Sequence, residues 1–296
     1  MLHIYLFFFS LLYLTFVKGY DNSTLNITQI SITKFLKPEH FTLGYHVIAP
    51  KYNLTSCYIG KSLSSMTIGL FCYLYDEKKF LANYKTVING GANRRICNSK
   101  NSYSSISNIS KEYTNGNKTE ILKNWKHLMI IREPVSRFIS GFVQLCVLNI
   151  GLEINHPYCF NCKKNLKCFL KKLYYHIINL GSNLTKIDKF IMYHFYPQSW
   201  QCEYLKYKDN YKIILYTSNA KEFYKEYLLK LEEESLIPKD KIKFIKQLIY
   251  NSKIIHSTSD KKITKYYENK LLKNEYLISL IKTIYINDYE EFNFKI

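Results

Sequence analysis

Ser56-Cys-Tyr-Ile-Gly-Lys-Ser-Leu-Ser-Ser-Met-Thr-Ile-Gly-Leu-Phe-Cys-Tyr-Leu-Tyr75 changes its hydrophobic rhythm part-way along. Cys57, Tyr58 and Ile59 make a short apolar run of the kind a buried strand shows. Ile68, Leu70, Phe71 and Leu74 fall at helical spacing, with Ser64 or Ser65 expected as the helix cap. Between the two, Gly60-Lys61-Ser62-Leu63-Ser64 has to turn. A strand, a small-residue turn and a helix start aim unpaired backbone N–H groups and the positive end of the helix dipole at one point, which makes an anion site before any side chain is counted. Lys61 adds a full charge there, and Ser62, Ser64 and Ser65 add hydroxyl donors.

A second block, Trp125-Lys-His-Leu-Met-Ile-Ile-Arg-Glu-Pro-Val-Ser-Arg-Phe-Ile-Ser-Gly-Phe142, repeats the logic. Leu128 to Ile131 is the continuous apolar run of a buried parallel strand, and Pro134 suits the first turn of a helix that carries Phe138, Ile139, Phe142 and Val143 inward. Arg132 then stands at the carboxyl end of a central strand, where open α/β sheets bind ligands. Arg137 and Ser140 follow it, and a guanidinium fork with a nearby hydroxyl suits a phosphate.

Gly60-Lys61-Ser62 also matches the end of a Walker A loop, but the glycine required five positions earlier is Thr55. Aligned differently, Gly60-Lys61-Ser62-Leu63-Ser64-Ser65-Met66 resembles the Pro-Lys-Ser-Gly-Thr-Thr-Trp loop with which sulfotransferases hold the 5′-phosphosulfate of PAPS (3′-phosphoadenosine 5′-phosphosulfate). Glycine stands for the proline, Leu63 for the glycine and Met66 for the tryptophan. Arg132-Glu-Pro-Val-Ser-Arg137-Phe-Ile-Ser140-Gly-Phe142 resembles the family's second signature far more closely, the one that clasps the 3′-phosphate. His194-Phe-Tyr-Pro-Gln198 looks like the His-x-x-Pro-Gln segment of Golgi carbohydrate sulfotransferases of the chondroitin type, and Ile281 to Phe294 is similar to the tyrosine, aspartate and phenylalanine pattern that closes many members.

The resemblance implies an α/β fold, a P-loop-like parallel sheet flanked by helices in a single domain over residues 44–296. It implies that Lys61 sits against the bridging oxygen and 5′-phosphate of PAPS, with Ser62, Ser64 and Ser65 around the same group, while Arg132 and Ser140 fix the 3′-phosphate. Sulfuryl transfer also needs a group to take the acceptor's hydroxyl proton. His194 is the candidate, because imidazole titrates near neutral pH, and Glu133, Asp76 and Glu77 compete with it. PAPS is a cosubstrate and no metal is implied. The implied acceptor is a carbohydrate hydroxyl on a chondroitin-like proteoglycan. Two other classes stay open on the residues alone: a catalytically lapsed glycan-binding protein and an ATP-dependent phosphotransferase. His256-Ser-Thr-Ser259 is a possible lid over the adenine.

Leu2 to Val17 is an almost unbroken apolar run closed by Lys18 and Gly19, short for a membrane span, so residues 1–19 are expected to be a signal peptide or an uncleaved signal anchor. Residues 20–43 are expected to form a stem. No later stretch would cross a membrane, so any membrane contact runs through the leader. Sequons at Asn22, Asn26, Asn53, Asn108, Asn117 and Asn183 agree with a secretory-pathway protein, in the Golgi lumen or secreted. So do 8 cysteines: Cys57 and Cys72 are expected to be buried thiols, and Cys97, Cys146, Cys159, Cys162, Cys168 and Cys202 disulfides. Cys159, Cys162 and Cys168, with His156 and His176 nearby, could instead hold zinc, but the second paired-ligand element is missing.

A formal charge of +19 suits acidic partners. The lysines are scattered along the chain with many Asn, Ile and Tyr, as an AT-rich coding sequence would produce, rather than gathered on one helix, which argues against nucleic acid; attraction to polyanions in a secretory lumen would mean nucleotide-sulfate donors and acidic glycans. Residues Thr86 to Asn124 show no sustained periodicity and are expected to be a long surface excursion covering a site.

Overall fold

The computed structural model describes residues 43–83, 97, 100–150, 157–180, 187–217, 219–250 and 262–295. The leader, the stem up to residue 42, the sequons at Asn22, Asn26 and Asn183, His156 and the His256–Ser259 segment lie outside the described residues.

A five-stranded sheet runs in the order β3-β1-β2-β4-β5. β1 (His46–Ala49) and β2 (Leu54–Cys57) are joined by a 3₁₀ turn, Pro50–Tyr52, and by Asn53 in the left-handed conformation. A connection that short can only fold back, so β1 pairs antiparallel with β2. β3 (Ser102–Tyr103) extends this antiparallel edge. β4 (Lys126–Arg132) and β5 (Tyr211–Tyr216) lie parallel to β2. The sheet is therefore mixed, and the expected parallel arrangement holds for β2, β4 and β5.

Helix α1 (Ser64–Tyr75) packs on one face, placing Met66, Leu70, Phe71 and Leu74 against Val47, Leu54, Leu128 and Ile130. The same core takes Phe223 and Tyr227 of α9 (Ala220–Glu234) and Ile242 and Ile245 of α10 (Lys239–Tyr250). Asp76 and Glu77 follow the far end of α1, Glu77 opening α2 (Glu77–Asn83). The opposite face buries Cys57, Met129, Ile131, Tyr204 and Tyr211, with Tyr204 carried by α8 (Tyr204–Tyr207).

The expected excursion over Thr86 to Asn124 is corrected in its described part. It holds β3, α3 (Ile106–Tyr113) and α4 (Lys118–Asn124), and Ile106, Ile109 and Ile121 are fully buried against Ile48 and Trp125. These helices are too short to show a sustained period. They announce themselves instead by their caps, Ser105 and Asn117, each accepting a backbone N–H from its first turn.

All eight cysteines are paired: Cys57–Cys202, Cys72–Cys97, Cys146–Cys159 and Cys162–Cys168. The expectation of free thiols at Cys57 and Cys72 is thereby overturned, because apolar neighbours in sequence hid the partners that the fold brings to them. Cys57–Cys202 closes a loop of 145 residues, a constraint worth on the order of 5 kcal/mol in a chain-entropy estimate. His176 donates to or accepts from the Tyr196 hydroxyl at 2.8 Å, and the cysteines around it make disulfides.

Candidate functional site

The turn after β2 is held from three sides. Gly60 donates its N–H to the carbonyl of Tyr193 at 3.1 Å, and a methyl group added at Gly60 would lie 2.3 Å from that same oxygen. Only glycine allows so close an approach of two backbones. Lys61 and Leu63 both take the left-handed conformation, with φ of 70° and 56°. The cap expected at Ser64 or Ser65 is corrected: Leu63 is the N-cap of α1 and offers no side-chain oxygen, so Ser64 and Ser65 are the first two helical residues. Ser64 is half-buried and Ser65 exposed. The left-handed backbone at Leu63 is one that glycine would adopt without a Cβ penalty.

β4 delivers Arg132 beside this turn. Glu133 caps α5 (Pro134–Phe142), its two oxygens accepting from the backbone N–H groups of Val135 and Ser136 at 2.8 and 2.6 Å. The Arg132 guanidinium donates through Nη1 to the Lys61 carbonyl at 3.2 Å and through Nε to Ser136 Oγ at 3.0 Å, and it lies over the Tyr216 ring. Arg137, fully buried, donates to the carbonyls of Gly60, Tyr196 and Tyr193 at 3.0, 2.9 and 3.3 Å. A π-helical turn, Val143–Val147, continues α5 and presents Gln144, whose Oε1 accepts from Lys61 Nζ. Ser140 is buried on α5, and the next residue, Gly141, faces the Lys61 side chain, 3.6 Å from a Cβ built on it.

The structure therefore brings Lys61, Ser62 and Arg132 together, with Ser140 on the helix that backs them. Burial first, then the neighbouring charges of Arg132 and Arg137, push the Lys61 ammonium down to about 7. Among the described residues the ion pairs join other lysines to Glu77, Glu233, Glu234 and Glu291, and none involves Lys61, Arg132 or Arg137. A cluster of cations that forms no ion pair among the described residues suits an anionic ligand, although Glu133 and Asp288 lie near enough to Arg132 and Arg137 to be felt electrostatically.

His194 lies on α7 (Lys189–Phe195), directly after the Tyr193 carbonyl that holds Gly60. Its Nδ1 is 2.9 Å from the Phe190 carbonyl. A carbonyl oxygen can only accept, so Nδ1 carries the proton and Nε2 the lone pair of the neutral ring. Two of the three competing carboxylates are placed elsewhere. Asp76 and Glu77 stand at the far end of α1, roughly 18 Å along its axis at 1.5 Å per residue, and Glu77 pairs with Lys241. Glu133 is engaged in capping.

Two residues central to the site stand in the sequence only as members of the His-x-x-Pro-Gln segment and the C-terminal pattern, with no role attached to either. Gln198, fully buried, bonds both backbone groups of Arg132: Oε1 accepts from its N–H at 2.9 Å and Nε2 donates to its carbonyl at 2.8 Å. Oε1 also accepts from Ser62 Oγ at 3.0 Å, so the Ser62 hydroxyl is turned toward Gln198. Asp288, from α13 (Ile286–Glu291), accepts from the backbone of Gln198 and Ser199 and from the Ser199 hydroxyl, at 2.8, 2.8 and 2.7 Å. Burial raises the Asp288 carboxyl, and these bonds oppose the rise. The signal available was the Pro197-Gln198 pair and the lone aspartate of the C-terminal stretch; what was missing was their meeting.

A profile of the sulfotransferase family matches residues 45–295. The carbohydrate sulfotransferase chst-1 of Caenorhabditis elegans is 29% identical over 256 residues, covering 84% of this chain and 75% of its own length. The uncharacterized protein C18B2.2 of the same organism is 26% identical over 280 residues, 94% of this chain and 76% of its own. No solved structure matches the chain significantly.

Proposed function

The chain belongs to the sulfotransferase family, and from that premise we propose that it moves a sulfuryl group from PAPS to a carbohydrate hydroxyl, with a chondroitin-like galactosaminoglycan as the leading acceptor. One observation carries the reading: the Arg132 guanidinium bonds the Lys61 carbonyl, so the two anion grips expected for opposite ends of one nucleotide stand side by side. The residues fit such a ligand, since Lys61, Arg132 and Arg137 form a cation cluster without an ion pair among the described residues, at the carboxyl ends of parallel strands.

PAPS when bound supplies a sulfuryl group on a phosphate leaving group. Lys61 offers a charge to that phosphate, and the first backbone N–H groups of α1, which no side chain caps, offer hydrogen bonds beside Ser64 and Ser65. Arg132, pinned by Ser136, Lys61 and Tyr216, offers a fixed fork to the 3′-phosphate, with Ser140 from α5 beside it. His194 Nε2 takes the acceptor's proton. Four disulfides suit an oxidising compartment, which supports a place in the secretory lumen.

Purified protein incubated with radiolabelled PAPS and a panel of desulfated glycans tests the reading. Label should pass to chondroitin. Label on no glycan, with PAP still bound, would overturn the acceptor class, and protection of the fold by ATP rather than PAP would favour a phosphotransferase.

A further inference from the structure

Gln198 makes the bonds a neighbouring strand would make. Its side-chain amide pairs with both the N–H and the carbonyl of Arg132, at the point where β4 ends, and its oxygen also receives the Ser62 hydroxyl. One side chain thus joins the last residue of β4 to the turn after β2. Its own orientation is fixed from behind: Asp288 Oδ2 accepts from Gln198 N–H at 2.8 Å and from Nε2 at 3.3 Å, while Oδ1 accepts from Ser199. Cys202, four residues on, is tied covalently to Cys57 at the end of β2. Gln198 and Asp288 are both fully buried, so this tie lies below the ligand surface.

We propose that Gln198 is a positioning residue that sets the spacing between the two phosphate grips, and that Asp288 sets Gln198. The inference rests on the donor reading above and adds what that reading lacks, a physical reason for the two grips to act as a unit. A ligand with phosphates at both ends feels the spacing, because each grip is useful only when the other is at the right distance. A ligand with one phosphate does not.

Calorimetric titration of the full chain with PAP and with adenosine 5′-monophosphate separates these cases. Replacing Gln198→Leu, which keeps bulk and removes every amide bond, should weaken PAP by about tenfold or more and the monophosphate by less than about threefold. Gln198→Glu supplies a second reading if the leucine variant does not fold. Beside Asp288 a buried carboxyl stays protonated at low pH, where its O–H and carbonyl replace the amide, so PAP affinity relative to wild type should be near one at pH 6 and fall sharply by pH 9. Equal weakening of both ligands, or a glutamate variant that tracks wild type at both pH values, would overturn the positioning role. A wild-type protein that ignores PAP would overturn the donor reading itself.

Discussion

Two places on the sheet bury basic side chains that form no ion pair among the described residues, and they solve the problem in opposite ways. At the carboxyl ends of β2 and β4, Lys61, Arg132 and Arg137 each meet carbonyl, hydroxyl or amide oxygens. Elsewhere on the sheet, His46 of β1 and His127 of β4 are buried on the face that carries Cys57 and Met129. Among the described residues neither ring nitrogen of His46 meets a hydrogen-bond partner, and His127 has one, the Ile121 carbonyl. Burial, helped by His127, drives His46 down to about 3, and burial drives His127 down to about 4. The imidazoles are tolerated because they shed their protons; the guanidiniums cannot, so the fold gives them acceptors. Charge kept at such expense of structure is what the proposed anion site requires, while the neutral histidine pair needs only packing.

Removing the charge at the first place should have the largest effect. Lys61→Ala is expected to lower turnover by about a thousandfold or more, as loss of a charge aimed at a leaving group does, with thermal stability retained. Initial-rate kinetics with saturating donor checks it, and a loss of tenfold or less would make the turn a bystander. Breaking the covalent tie between the two places comes next. Cys57→Ser with Cys202→Ser should cost about 2–5 kcal/mol in denaturant unfolding, because the tie closes a loop of 145 residues and Cys57 also pairs with His46 across β1 and β2.

The histidine pair has a smaller, pH-dependent signature. Between the ordinary imidazole value of 6.5 and the folded values of about 3 and about 4, the unfolded chain binds protons that the fold refuses. Stability from this source is complete above pH 6.5 and declines as pH falls below it. His46→Leu, which removes two unpartnered nitrogens, should raise the melting temperature at pH 5 more than at pH 8; an equal shift at both would contradict burial as a neutral ring. Smallest of all, Leu63→Gly relieves a left-handed backbone but uncovers some apolar surface, so unfolding should move by less than about 1 kcal/mol.

Much of the first place was legible because its parts are contiguous. The turn at Gly60–Ser64, the strand ending at Arg132 and the helix opening at Pro134 each follow from local rhythm and from the demands of a phosphate. The cap was misread because a serine is a better cap than a leucine, whereas here the turn needs its left-handed residue more than α1 needs a capping oxygen. The roles of Gln198 and Asp288, both inside stretches the sequence singles out, stayed hidden for a different reason. An amide and a carboxylate acquire meaning only through partners 66 and 90 residues away, and no period or spacing records that. The same holds for Cys57 and Cys72, whose partners are 145 and 25 residues distant.

PAP titration across pH tests the account most directly. Lys61 is charged below about 7 and loses its proton above it, and an anion prefers the charged form. The account predicts that PAP binds one to one, that ATP does not compete, and that affinity declines as pH rises beyond about 7, a decline absent in Lys61→Met. Affinity independent of pH in both proteins, or no binding of PAP at all, would contradict it.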